Sequence, residues 1–131
     1  MVRLMIRIAL ALSLLVLVLA GTATASTPTA SAAKTCSLTL SQQRNSGATY
    51  LVQLKVTSVN CSTGLKVEKA WQTCRRATAA RTTCRKRVLR YSCKQTVLDS
   101  SKTQYDARVN CKAGARTVTF IYTQNKRGNS F

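Results

Sequence analysis

The chain contains no histidine and only three acidic residues, Glu68, Asp99 and Asp106, among its 131 residues. Histidine is the usual general acid or base near neutral pH and the commonest metal ligand. A glycosidase needs two placed carboxylates, and zinc or calcium sites need ligand sets that this composition does not offer. We therefore predict that the protein is not an enzyme and holds no metal and no cofactor. Glu68, beside Lys69 on a predicted helix, is expected to be a solvated side chain.

Aromatic residues are also scarce, at 5% of the chain. Proteins that bind single-stranded nucleic acids stack the bases on exposed aromatic rings. Trp71, Tyr91, Phe120 and Tyr122 all fall at positions that we expect to be internal. Sequence-specific nucleic-acid binding is therefore not expected.

The N-terminus carries the features of an export signal. Arg3 and Arg7 precede an apolar run over residues 8–20, and Ala23-Thr24-Ala25 supplies the small residues that signal peptidases require. We predict a signal peptide over residues 1–25, with a cut after Ala32 as the alternative. The apolar run is shorter than the ~20 residues that span a bilayer, so no transmembrane segment is expected after cleavage. The product is predicted to be secreted.

The exported part divides by composition. Residues 26–34 lack apolar periodicity and are predicted to form a flexible leader. Residues 35–123 should form one folded domain, followed by a frayed polar tail over residues 124–131.

Six cysteines lie in the exported part, and an even number in a small secreted domain indicates three disulfides. Each is expected to contribute ~2–4 kcal/mol. No pair is spaced Cys-x-x-Cys, which disfavours a redox site. The sequence leaves the pairing of these six residues open: Cys36, Cys61, Cys74, Cys84, Cys93 and Cys111.

Hydrophobic periodicity predicts one long strand followed by one helix. Residues 50–59 alternate with period two, which is typical of a strand. The outer face would carry Leu51, Gln53, Lys55 and Thr57, and the inner face Val52, Leu54, Val56 and Ser58. Residues 60–80 change to a helical period, with Ser62 or Thr63 as the N-cap. The apolar stripe of the helix would comprise Val67, Ala70, Trp71, Cys74 and Ala77.

Three further strands are predicted after the helix. Alternation resumes near Leu89, Asp99–Lys102 supplies turn residues, and Lys112-Ala113-Gly114 is typical of a hairpin turn. A short strand over residues 35–40 precedes a polar turn at residues 41–47. The order β-β-α-β-β-β indicates an α+β fold: a small antiparallel sheet with one helix, stapled by disulfides.

Two stretches carry a family resemblance. They are Val59-Asn-Cys61-Ser-Thr-Gly64-Leu-Lys-Val67-Glu-Lys-Ala-Trp71 and Val109-Asn-Cys111-Lys-Ala-Gly114-Ala-Arg-Thr-Val118-Thr-Phe120. Together they resemble a loose group of small secreted actinobacterial proteins. In that group a cysteine opens a helix with a small residue three positions on, and a Cys–basic–Gly hairpin leads into a closing strand. The resemblance implies this fold and export, and it implies no particular chemistry.

Positive charge is what the chain has in excess. It carries 21 Lys and Arg residues and a formal net charge of +18. Removal of Arg3 and Arg7 with the signal peptide lowers this by two, to +16, whereas a charge of ~2–8 suffices for the solubility of a small domain. Eight basic residues follow Cys74 with no acid between them: Arg75, Arg76, Arg81, Arg85, Lys86, Arg87, Arg90 and Lys94.

This basic tract is the main functional feature of the sequence. If residues 86–97 form a strand, Lys86, Arg90 and Lys94 share its outer face at intervals of ~13 Å. Such a stripe suits contacts with a polyanion, and Arg suits bidentate contacts. We predict a monomeric binding module for an anionic cell-envelope polymer or lipid surface. The alternatives are plain surface charge, a membrane-active antimicrobial protein, or a protease inhibitor with residues 80–85 as its loop.

Overall fold

The computed structural model of the protein describes residues 31–78 and 83–126. The predicted signal peptide lies outside the described residues, as do most of the predicted leader and residues 127–131 of the predicted tail. Residues 79–82, which include Arg81 of the basic tract, lie outside them as well.

A single antiparallel sheet of five strands forms the centre of the described structure. The strands run in the order β1-β2-β5-β4-β3, and helix α2 packs against β2 and β5. The elements are β1 (Lys34–Thr35), α1 (Leu40–Arg44), β2 (Tyr50–Thr57), α2 (Cys61–Ala77), β3 (Ser92–Ser100), β4 (Gln104–Ala113) and β5 (Arg116–Asn125). The predicted α+β fold with an antiparallel sheet and disulfides is confirmed.

One helix was not predicted. Residues 41–47 were expected to form a polar turn, but residues 40–44 form α1. The Thr39 side chain accepts a hydrogen bond from the Gln42 backbone N–H, and the Gln42 side chain accepts one from the Thr39 N–H. This reciprocal capping satisfies two N–H groups that a short helix otherwise leaves unpaired. Polar residues therefore start a helix here without any apolar stripe.

The face assignment in β2 was wrong for its first residues. A bulge between Leu51 and Gln53 inserts one extra residue against β5. An extra residue reverses the alternation on one side of the bulge. Leu51 is therefore fully buried, whereas Val52 is 49% exposed; Leu54 and Val56 are buried as predicted.

Helix α2 begins earlier than predicted. Asn60 is the N-cap, in place of Ser62 or Thr63, because its side chain accepts a hydrogen bond of 2.8 Å from the Thr63 N–H. Gly64 faces β2 so closely that an added Cβ would lie 2.7 Å from Val56 Cγ1. A glycine at this position lets the helix approach the sheet, so its first turn is held tightly against β2.

Aromatic rings fill the space between α2 and the sheet. Trp71, Phe120 and Tyr122 are fully buried, as predicted. The Trp71 ring centroid lies 5.6 Å from that of Phe120 and 5.5 Å from that of Tyr122. Edge-to-face and tilted pairs at these separations are favourable beyond the burial of their area.

All six cysteines are paired, so the three predicted disulfides are confirmed. The bonds are Cys36–Cys61, Cys74–Cys84 and Cys93–Cys111. The first ties the start of the domain to the start of α2, and the third joins directly opposed residues of β3 and β4. The second fastens the chain after α2 to the helix itself, and it therefore anchors the segment that carries most of the basic tract.

The folded part extends further than predicted at its C-terminal end. Strand β5 continues to Asn125, two residues beyond the expected domain boundary. The Lys126 N–H then donates a hydrogen bond of 2.7 Å to the Thr103 carbonyl. Gln124 and Asn125 are thus part of the sheet and not of a frayed tail.

Candidate anion-binding surface

The basic tract does not form one surface. Arg75 is only 3% exposed, so it does not belong to a binding face. Arg76, Arg85, Lys86, Arg87, Arg90 and Lys94 are exposed. Arg76 lies on α2, Lys94 lies on β3, and the other four lie on the connection over residues 83–91, which we call the basic segment.

The predicted strand over residues 86–97 is wrong in its first half. Val88 and Tyr91 form an isolated antiparallel bridge, with N···O distances of 3.0 and 2.8 Å. Leu89 and Arg90 between them have φ values of 47° and 71°. Two left-handed residues form a tight reversal, as in a type I′ turn. Lys86, Arg90 and Lys94 therefore do not share the face of one strand.

Left-handed backbone at two residues that are neither glycine nor asparagine is unfavourable. Such conformations cost of the order of 1 kcal/mol or more per residue and persist where the surroundings determine them. Here the buried Tyr91 and Val88 fix the base of the turn, and the Cys74–Cys84 bond fixes its approach. The turn thereby presents Arg90 at a defined position beside the end of the sheet.

Arg87 and Arg90 meet two further basic residues that the sequence analysis did not single out. An open depression of about 390 Å³ lies between the basic segment and the turn from β4 to β5. Its lining includes Arg87 and Arg90 from the first and Lys112 and Arg116 from the second, together with Ser92 and Gly114. We call Arg87, Arg90, Lys112 and Arg116 the basic cluster.

The sheet register explains how the two segments meet. Ser92 is paired with Lys112, and Ala113 is paired with Arg116 across the turn that Gly114 opens with a φ of 61°. The guanidinium carbon of Arg116 lies 5.7 Å from the centroid of the buried Tyr91 ring. This cation–π contact orients Arg116 from the second segment against the base of the Arg90 turn. The one sequence feature that pointed to this meeting of two basic segments was the predicted hairpin at Lys112–Gly114, which basic residues flank.

The residues that line the depression carry charge of only one sign, which is positive. None of the residues that line it is acidic. Asp99 and Asp106 are opposed to each other across β3 and β4, and Asp106 is six residues along β4 from Lys112, or roughly 20 Å at the usual rise per residue. The third acid, Glu68, is buried beneath the sheet. Four positive charges therefore stand together with no side-chain carboxylate of the described residues at the same end of the sheet.

The basic cluster continues onto the face of the sheet opposite α2. Register places Lys55, Thr119, Asn110 and Lys94 in one row across four strands. Arg108 and Lys112 lie on either side of Asn110 along β4, and all four basic residues of this face are exposed. We call this surface the open face; its central strand contributes Thr117, Thr119, Ile121 and Thr123. It is polar, positively charged and rich in threonine.

Glu68 is buried and not solvated, which corrects the expectation from the sequence. It is 1% exposed and lies on the same side of α2 as Gln72 and Arg75. Burial raises the pKa of its carboxyl to about 7, although Gln72, Ser46 and Arg75 oppose that shift. Because its surroundings exclude solvent, we assign Glu68 to the interior of the protein.

Comparison with known proteins gives no relative to set beside this surface. No family model, no curated protein and no solved structure matches the chain. Within residues 31–78 and 83–126, no helix is long and apolar enough to cross a membrane.

Proposed function

We propose that this protein is an exported, non-enzymatic binding module that presents its basic cluster and open face to an anionic polymer of the cell envelope. The observation that carries the proposal is the convergence of Arg87 and Arg90 with Lys112 and Arg116 at one depression. These residues come from two separate segments of the chain. A basic tract kept only for solubility would not need a strained turn and a cation–π contact to gather its charges.

The chemistry of the cluster fits this role. Three of its four residues are arginines, whose planar forks make paired hydrogen bonds to phosphate or carboxylate oxygens. At physiological salt the Debye length is ~8 Å, so charges that share one depression reinforce each other at a bound anion. Lys94, Arg108 and Lys55 extend the positive surface, which suits a ligand longer than a single anionic group.

Sedimentation with purified cell envelopes tests the proposal. Oxidised mature protein should pellet with envelopes near physiological salt, and the binding constant should fall steeply as salt is added. Four phosphate-like contacts predict a log–log slope of about −3 because binding releases counterions from the polymer. Protein that stays in the supernatant at physiological salt would overturn the proposal.

Matched charge reversals separate a site from net charge. The triple variant R87E/R90E/R116E should lose pelleting at physiological salt. The control R44E/K66E/K102E changes net charge equally at three other exposed positions, and it should retain most of the binding. Equal losses in both variants would show that binding follows net charge alone. Near-ultraviolet circular dichroism would establish that both variants are folded.

A membrane-surface role is the second candidate, and one residue favours it. Leu89 is 56% exposed at the tip of the turn, directly beside Arg90. An apolar side chain next to cationic ones is typical of segments that enter the interface of anionic bilayers. On this reading the protein should bind vesicles that contain anionic lipid, and L89S should weaken that binding several-fold while leaving envelope-polymer binding intact. Absence of binding to such vesicles would exclude this role. The loop of the protease-inhibitor alternative, residues 80–85, lies outside the described residues in its first half, residues 80–82.

A further inference from the structure

The depression has a size and charge that point to more than one anionic group. Its volume of about 390 Å³ is at the lower end of the range for small-molecule sites. A single phosphate group, with five heavy atoms, or a carboxylate group, with three, would leave much of it unfilled. The four positive charges of the basic cluster likewise exceed what one carboxylate neutralises.

The cations come from two separate segments of the chain. Arg87 and Arg90 belong to the basic segment, and Lys112 and Arg116 belong to the strands that flank the Gly114 turn. Ser92, paired with Lys112, adds a hydroxyl at the margin. A group held in the depression thus lies near two cations from each segment. The depression is also open, so a polymer can pass through it.

The ligand must supply many acceptor oxygens at short spacing. Three guanidinium groups and one ammonium offer more donors than the two oxygens of a carboxylate can accept. Adjacent phosphate groups supply several charged oxygens that the cations of both segments can share. Bases are not required, because the described Trp, Phe and Tyr rings near the sheet are buried or half-buried and leave no exposed platform for stacking.

We propose that the basic cluster is a discrete site for two adjacent phosphate groups of a base-free phosphate polymer. The inference rests on the proposed function, since it names the ligand class of the same surface. Within the cluster, the planar guanidinium groups of Arg90 and Arg116 donate paired hydrogen bonds to the phosphate oxygens. Lys112 neutralises charge between them, and the open face guides the rest of the polymer.

Short phosphates are the probes that test this site. Pyrophosphate and tripolyphosphate should bind the oxidised mature protein at physiological salt, with amide shifts confined to Ser92, Lys112, Gly114 and their neighbours in two-dimensional NMR. Orthophosphate should bind at least tenfold more weakly because it reaches fewer of the donors. Citrate, which carries the charge of a tricarboxylate, should also bind at least tenfold more weakly than tripolyphosphate. Citrate binding equal to that of tripolyphosphate would overturn the inference.

Charge-preserving variants test the role of the planar guanidinium groups of Arg90 and Arg116. R90K and R116K keep every charge but lose the planar pair of donors, so each should weaken tripolyphosphate binding about tenfold. R44K makes the same change at an exposed arginine outside both the basic cluster and the open face, and it should leave tripolyphosphate binding unchanged. Unaltered affinity in R90K and R116K would mean that the cluster acts only through its charge, and the phosphate site would be rejected.

The outcomes distinguish this inference from the proposed function. If the protein pellets with envelopes but shows no localised pyrophosphate binding, the phosphate site is rejected and the proposed binding module is retained. Localised pyrophosphate binding without any envelope pelleting would retain the site but reject the proposed function. Tighter binding to single-stranded DNA or to anionic vesicles than to base-free polyphosphate of equal charge would assign the site to another class of ligand and overturn the inference.

Discussion

The variant R75M should unfold at a lower denaturant concentration than the wild type, with a loss of roughly 2–4 kcal/mol in the free energy of unfolding. Arg75 was part of the predicted binding tract, yet its guanidinium is enclosed by the fold. Its Nε donates a hydrogen bond of 2.9 Å to Gln72 Oε1, and Nη2 donates one of 2.8 Å to Gln124 Oε1. The change to Met keeps an unbranched apolar stem but removes every donor.

The cost arises from what the removed guanidinium leaves behind. Its carbon lies 5.3 Å from the Tyr122 ring centroid and 5.8 Å from that of Trp71, so two cation–π contacts disappear with it. The amide oxygens of Gln72 and Gln124 lose a charged donor, and Glu68 loses a favourable positive charge. Buried acceptors that lose their donor cost ~1–3 kcal/mol each, although protonation of Glu68 limits the total.

The matched control is R76M. Arg76 follows Arg75 in the last turn of α2 and is exposed. Both changes remove one positive charge from the same helix end, so their effects through the helix dipole are alike. We expect R76M to change the free energy of unfolding by no more than ~0.5 kcal/mol. Equal destabilisation by the two variants would contradict the internal role of Arg75, as would a loss of envelope binding in folded R75M.

The buried side of α2 shows why the sequence analysis assigned Arg75 to the binding surface. The predicted stripe contained the small and apolar residues Val67, Ala70, Trp71, Cys74 and Ala77. The buried residues of α2 are in fact Gly64, Val67, Glu68, Trp71, Gln72 and Arg75. Three of these are polar. A prediction that uses apolar residues alone therefore rotates the expected buried stripe around the helix axis. Nothing local reveals that Gln72 accepts a hydrogen bond from Arg75 in the interior, because the other partners of Arg75, Tyr105 and Gln124, lie far along the chain.

Strands β4 and β5 were predictable because their alternation is regular. Ala107, Val109 and Cys111 are buried from one strand, and Val118, Phe120 and Tyr122 from the next, as the pattern indicated. The bulge in β2 was not predictable, since one extra residue changes the face of its neighbours without altering the local composition. The same limit applied to the candidate site. Lys112 and Arg116 join Arg87 and Arg90 only through strand pairing.

The second large effect concerns pH. We expect the free energy of unfolding to fall by about 3 kcal/mol as the pH rises from 4.5 to somewhat above 7. Burial raises the pKa of Glu68 from an ordinary 4.5 to about 7 in the folded state. Between these values the folded protein binds a proton that the unfolded chain has released. The stabilising contribution of the protonated carboxyl is therefore complete below pH 4.5 and is lost as the pH rises through 7.

The composition makes this dependence easy to isolate. The chain has no histidine, and the only other acidic side chains are Asp99 and Asp106. Denaturant unfolding of the oxidised protein across pH 4.5–8 should therefore show a slope that E68Q removes. The E68Q variant should be more stable than the wild type at pH 8, because its neutral amide retains the shape of Glu68 without becoming charged. The control D99N, which alters an exposed carboxylate, should retain the slope.

The two predictions constrain each other because Glu68 and Arg75 share the interior of α2. Arg75 lowers the pKa of Glu68, so its removal should raise that pKa further. R75M should consequently extend the pH-dependent loss of stability to higher pH, while R76M should leave its position unchanged. A stability that does not vary with pH in the wild type would mean that Glu68 is either hydrated or fully paired when charged. An unshifted dependence in R75M would mean that Arg75 stabilises the fold without acting on Glu68.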